Sequence, residues 1–211
     1  MIDFIVNKPQ QLKTQLICLF AHGAGAPMDS GFMNTVAEGV SAGGIEVRRF
    51  EFPYMQKRRQ TGIKRPPDRA PALLAYYREV IAASGGAQRC IIAGKSMGGR
   101  MASLIAAEQT VGGLVCLGYP FHALGKPDKT RIDHLGDIGV PNLILQGTRD
   151  PMGSLAQVTG YQLPATIKVN WLEDGDHDLK PRKKSGFSHE DHMKVAVDQI
   201  VNFILSIEHN A

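Results

Sequence analysis

Short apolar runs and amphipathic stripes alternate along almost the whole chain. Positions 15–21, 45–50, 90–93, 114–117, 142–146 and 168–172 are apolar or β-branched runs of strand length, and 2–6 predicts a further edge strand. Between them lie helical spacings. Phe32, Val36 and Val40 mark one face, stopped by Gly43-Gly44. Leu73, Leu74, Tyr77, Val80 and Ile81 mark another, stopped by Gly85-Gly86. The last stripe, Met193, Val197, Ile200, Val201, Ile204 and Leu205, follows Ser188 and Asp191, a capping-box pattern.

Strands apolar on both faces, alternating with helices, predict an α/β fold. The expected form is a three-layer α/β/α sandwich around a mostly parallel sheet of about seven strands. In such sheets ligands bind beyond the carboxyl ends of the strands. The 211 residues, 43% hydrophobic, suit a single domain over 1–211, with no repeat or linker dividing them. The apolar run 16–21 is far too short to span a bilayer, so the expected location is cytoplasmic, with no membrane partner. Cys18, Cys90 and Cys116 each fall in a predicted strand and read as buried free thiols.

The chemistry concentrates at 90–100, where an apolar strand runs into Gly94-Lys-Ser96-Met-Gly98-Gly99 and then a helix rich in small residues. Gly-x-Ser-x-Gly between strand and helix is a nucleophile elbow, a strained turn that lifts the serine hydroxyl above the sheet. Chance alone gives about 0.1 such pentapeptides at this glycine and serine content. A serine hydroxyl needs a base, and the base an orienting acid. Asp150 lies on a turn just past the strand 142–146, and His177 in the loop after 168–172. His122 and His134 precede the acid, His189 and His192 belong to the start of the last helix, and His209 is near the terminus. Catalytic roles are therefore expected for Ser96, Asp150 and His177.

An oxyanion hole requires two backbone N–H groups. The candidates are Met97, at the start of its helix, and Ala24 in the loop His22-Gly23-Ala24-Gly25, with Gly25 as the alternative. His22 reads as a structural histidine beside the site. Gly23 and Gly25 would let the loop approach substrate closely, and Tyr119, Pro120 and Phe121 are expected to form one wall. The connection from Leu117 to Asn142 leaves little room for a lid. No cofactor or metal is called for, and His189-x-x-His192 reads as a pair of surface histidines at a helix start.

The net charge is +4, with basic residues gathered at 57–69 and 180–184, both placed in loops on the active-site side. Two readings stand. One is a positive rim that attracts an anionic acyl substrate; the other is a solvated surface without a ligand role. The basic runs lack interleaved aromatic residues, so nucleic acid is not an expected partner.

With these four parts in order, the chain resembles the α/β-hydrolase superfamily in its small form without a cap domain, similar to dienelactone-hydrolase-like proteins. Phe52-Pro53-Tyr54-Met55, Pro67-Asp68-Arg69, Gly94-Lys-Ser96-Met-Gly-Gly99 and Leu145-Gln-Gly-Thr-Arg-Asp150 further resemble bacterial relatives of a regulatory subunit of the NSL chromatin complex. The resemblance implies the superfamily's eight-strand fold, here short of an edge strand, and the triad roles given above. Dienelactone hydrolases use a cysteine nucleophile where this chain has Ser96, so their ring opening is not implied; nor is the chromatin role. The expected activity is a serine hydrolase cleaving carboxylic esters of a small-molecule acyl substrate. A thioesterase or peptidase with the same triad is the near alternative, and a non-catalytic interaction scaffold the rival.

Overall fold

A computed structural model describes residues 2–209. Its elements run β1 (Ile5–Asn7), β2 (Ile17–Ala21), α1 (Gly31–Ala42), β3 (Glu46–Phe50), α2 (Pro53–Thr61), α3 (Ala70–Ala83), β4 (Cys90–Lys95) and α4 (Met97–Glu108). The second half continues β5 (Gly113–Leu117), β6 (His122–Ala123), β7 (Lys126–Thr130), β8 (Asn142–Gly147), α5 (Leu155–Val158), β9 (Val169–Leu172) and α6 (His189–His209). Seven strands form one sheet in the order β1-β3-β2-β4-β5-β8-β9. All pairs are parallel except β1 with β3. This is the α/β-hydrolase fold expected above, with the edge strand at 5–7.

The register aligns the strand ends. Ala21 pairs with Phe50 and Gly94, Lys95 with Leu117, and Gly147 with Leu172. The loops that begin at His22, Ser96, Gly118, Thr148 and Glu173 therefore leave the sheet along one edge, where α/β folds hold ligands.

Two hydrophobic layers cover the sheet. On one face α3 and α4 set Leu73, Tyr77, Met101 and Ile105 against Leu19, Ile92 and Cys116. On the other α1 and α6 set Met33, Val36, Ile200 and Ile204 against Phe20, Ile91 and Val115. Helices α1 and α6 meet closely at glycine: a Cβ on Gly39 would stand 2.8 Å from the Val197 methyls. The three thiols are unpaired and buried, and burial pushes the Cys90 thiol up to about 11. Among the described residues no helix is long and apolar enough to cross a membrane.

Two elements correct the sequence reading. Residues 57–59 of the first basic run lie on α2 and not in a loop. Pro53 at its first turn pre-sets helical φ, and Gly62 (φ 69°) closes it, but only Tyr54 and Met55 are buried, so no apolar stripe announces it. The polar connection after Leu117 contains the hairpin β6–β7, whose second strand is exposed throughout and so shows no alternation.

Tyr77 ties helix to sheet. It is fully buried, and its hydroxyl lies 3.0 Å from Leu19 O, 2.8 Å from Ala93 O and 3.1 Å from Ala93 N, which donates to it. Tyr77→Phe keeps the ring and removes these bonds. It should lower stability by about 1–3 kcal/mol, read as a lower urea midpoint with an unchanged slope; an unaltered midpoint would show the hydroxyl contributes nothing.

Candidate active site

Ser96 sits where β4 hands over to α4, at φ 51° and ψ −113°, a conformation strained for a side-chain-bearing residue. The turn closes only because its neighbours lack side chains. A Cβ on Gly94 would fall 2.2 Å from the carbonyl carbon of Gly98, and one on Gly98 would fall 2.6 Å from Ala21 O. The Ser96 amide donates to Leu117 O at 2.9 Å, and its carbonyl accepts Arg100 N at 2.9 Å as the first bond of α4.

Asp150 lies three residues past β8 and is fully buried. Its Oδ1 accepts the Met152 amide at 2.7 Å, and its Oδ2 accepts Gln146 Nε2 at 2.9 Å. The same Oδ2 is 2.8 Å from His177 Nδ1, and His177 Nε2 is 2.8 Å from Ser96 Oγ. An ionised carboxylate only accepts, so Nδ1 carries the proton and Nε2 accepts from the serine hydroxyl. The three residues named from sequence thus form one hydrogen-bonded chain.

The histidine loop is held by groups that sequence reasoning did not assign. Lys95, on the last position of β4, is buried; its Nζ donates to His177 O at 2.8 Å, pairs with Asp178 Oδ1 at 3.1 Å and lies 5.4 Å from the Phe32 ring centroid. Burial holds its pKa below the ordinary lysine value, with Asp178 acting in the opposite sense. His189 Nε2 meets Asp178 O at 3.0 Å and His192 Nδ1 meets Leu179 O at 2.8 Å, so both rings bind the loop's carbonyls. His192 is buried, which corrects its reading as a surface residue. Asp174 takes Arg182 N and Nε at 2.8 Å and pairs with Arg149 Nε at 2.9 Å; the Arg182 hydrogen bond holds its carboxyl well below the usual range. Gln146 is likewise unassigned by sequence. Its Oε1 accepts Tyr119 N at 2.7 Å while Nε2 serves Asp150. The available signal was a polar or charged residue inside an otherwise apolar strand, at Lys95 and at Gln146.

The loop 22–25 lies against the elbow: a Cβ on Gly23 would be 3.8 Å from Ser96 Cβ. His22 is buried, with Nδ1 2.6 Å from Gly23 O and Nε2 accepting Phe52 N at 3.1 Å, which fixes the neutral Nδ1–H tautomer. Tyr54 Oη donates to Ala24 O at 3.0 Å. The amides of Ala24 and Met97 have no hydrogen-bond acceptor among the described residues.

Two cavities flank Ser96. One of about 480 Å³ is lined by Gly23, Gly25, Phe32, Met33, Lys95 and His177. The other, about 340 Å³, is lined by Ala24, Met97, Arg100, Pro120, Arg131 and Met152. Pro120 therefore borders the site, but Tyr119 and Phe121 do not form its wall. Both are fully buried, their rings edge-on at 4.9 Å, and Tyr119 Oη donates to Arg131 O at 2.8 Å. Of the basic runs, Arg59 pairs with Asp29 and Glu51, Arg58 donates to Gly25 O at 3.1 Å, and Arg182 pairs with Asp174. These charges are engaged by the fold. Among the described residues no cluster of three or more His, Cys, Asp or Glu side chains could hold a metal ion.

Burial holds the His22 pKa below 6.5, and that of His134 likewise. Below that pH the unfolded chain binds these protons and the folded one does not, so stability falls as pH falls. The urea midpoint should be lower at pH 5.5 than at pH 7.5, and His22→Asn should flatten part of that change. A midpoint equal at both pH values would refute the neutral assignment.

A family model described as an alpha/beta hydrolase domain matches residues 14–205. Among solved structures, the chain is similar to a serine hydrolase without a lid from Xanthomonas campestris. It has 18% identity and a TM-score of 0.68, and 95% of this chain and 88% of that one are covered. The esterase domain of a Rhodothermus marinus protein is similar at 16% identity and a TM-score of 0.68, with 97% and 92% covered. A dienelactone hydrolase from Anabaena variabilis is similar at 19% identity and a TM-score of 0.66, with 93% and 89% covered. The fold, the open rim and a match over most of its length agree: this chain belongs to the alpha/beta hydrolase domain family.

Proposed function

We propose that the chain is a serine hydrolase that cleaves carboxylic esters through Ser96, His177 and Asp150. The observation that carries this reading is the unbroken chain of 2.8 Å contacts from Asp150 through His177 to a serine held on a strained turn. Ser96 Oγ attacks the acyl carbon while His177 Nε2 takes its proton. Asp150, fixed by Gln146 and the Met152 amide, keeps the imidazole in the required tautomer and stabilises its cation. The Ala24 and Met97 amides receive the oxyanion, the latter aided by the α4 dipole. The histidine then protonates the leaving alcohol, and water reverses the sequence on the acyl-enzyme. No step calls for a metal or cofactor.

The esterase among the structural neighbours supports ester cleavage over thioester or amide cleavage by the same groups. The peptides around Phe52, Pro67 and Asp150 support a place beside bacterial relatives of the NSL regulatory subunit. Three unpaired buried thiols favour a reducing compartment such as the cytoplasm.

A fluorophosphonate probe should label the wild-type protein and leave Ser96→Ala unlabelled; an unlabelled wild type would sink the reading in favour of a non-catalytic scaffold. On p-nitrophenyl butyrate, Asp150→Asn should lower kcat by roughly 10³–10⁴-fold with the fold intact by circular dichroism. A loss below tenfold would mean the carboxylate does not set the tautomer.

A further inference from the structure

The cavity on the Pro120 side of Ser96 is lined by two arginines, Arg100 and Arg131, that have no ion-pair partner among the described residues. Arg100 stands one turn along α4 from the nucleophile, its amide bonded to Ser96 O. Its Nε is buried and without a hydrogen-bond partner. Arg49 Nε shares that state, but the rest of the Arg49 guanidinium is bonded to Met28 O, Asn34 and Asn7. Among the described residues the Arg100 guanidinium makes no bond at all, nor does that of Arg131. No carboxylate oxygen lies within 4.0 Å of either. Asp68, on the same rim, is exposed and outside that distance.

Arg131 is positioned by its backbone: its amide donates to Phe121 O at 2.7 Å and its carbonyl accepts Tyr119 Oη at 2.8 Å. Burial, and after it the charge of Arg100, hold the Arg131 pKa below its ordinary value, so the two cations act on each other. Like charges facing one half-buried cavity destabilise the empty protein, and an anion between them removes that penalty. The surface arginines Arg59, Arg78 and Arg182 all have carboxylate partners. Arg58 and Arg89, without a carboxylate, donate to Gly25 O and Gln15 O, and Arg65 and Arg69 are exposed to solvent, whereas the half-buried pair beside the nucleophile has neither such a bond nor full exposure.

We propose that Arg100 and Arg131 form an anion subsite that selects esters carrying an oxyacid group, carboxylate or phosphate, on the arm lying in this cavity. Planar guanidinium groups match either oxyacid by paired N–H donors. The opposite arm would occupy the cavity beneath Phe32 and Met33, which is mainly apolar. The subsite rests on the hydrolase reading for its role but not for its binding. It differs from the positive rim expected from the basic runs, since neither arginine belongs to those runs.

The test is calorimetric titration of Ser96→Ala, which cannot turn over ester, with monomethyl glutarate, its neutral counterpart methyl pentanoate, and inorganic phosphate. Monomethyl glutarate should bind about tenfold or more tightly than methyl pentanoate. Arg131→Gln or Arg100→Met in the same background should abolish the gap, and Arg131→Lys should retain part of it. Binding of phosphate with weak binding of glutarate would uphold the subsite and assign phosphate as its ligand. Equal binding of charged and neutral esters with no binding of phosphate, or binding of either anion that survives both substitutions in proteins with native circular dichroism, would overturn it. Failure of wild-type fluorophosphonate labelling would remove the hydrolase reading and leave this titration to stand or fall by itself.

Discussion

The left-handed turn at Ser96 is the constraint around which the carboxyl edge of the sheet is arranged. A residue with a side chain at φ 51° and ψ −113° is held against its own preference, so neighbouring contacts must supply the difference. They do so through backbone. The Ser96 amide is bonded to Leu117 O, and Gly94 and Gly98 admit main-chain atoms where any Cβ would collide. The same close approach brings the strand β2 edge under α4 and sets the loop 22–25 against the serine. Nucleophile, oxyanion donors and the start of the helix dipole thus share one cause.

The histidine needs a different support, because its loop is long and carries strain of its own. Asp174 (φ 54°) and Leu179 (φ 62°) are both left-handed without being glycine. Leu179 is fully buried, Asp174 is clamped by two arginines, and Lys95 holds the carbonyl of His177 itself. Lys95 precedes the nucleophile in sequence, so one strand end fixes both partners of the Oγ–Nε2 contact. Burying an ammonium is costly, and here Asp178, the Phe32 ring and a carbonyl share its compensation.

The sheet, its flanking helices and the three hydrogen-bonded side chains were legible because each leaves a local signal: apolar runs, a stripe of period 3.6, or a turn residue past a strand. What was not legible lacked such a signal. Helix α2 buries too little to be periodic, and β7 buries nothing. Tyr119 and Phe121 follow a strand end as site residues do, yet the positive φ of Gly118 and the chain beyond it fold both rings inward. Gln146 and Lys95 look like interruptions of a strand, and only three-dimensional neighbours reveal that they brace the acid and the histidine. Arg100 is the one basic residue on a helix of mostly small and apolar residues, and Arg131 lies in a polar connection with no periodicity, so neither leaves a local signal.

The hairpin β6–β7 leaves the site just after Pro120, which borders the cavity beside Ser96. Its strands pair only with each other, Gly125 (φ 70°) turns the chain at the tip, and Leu124 beside it is 68% exposed. Backbone at such a tip can be lengthened without unpairing the main sheet or disturbing either apolar layer. The molecule therefore already contains an insertion point from which an enclosing segment could be evolved or engineered, leaving the reacting groups untouched.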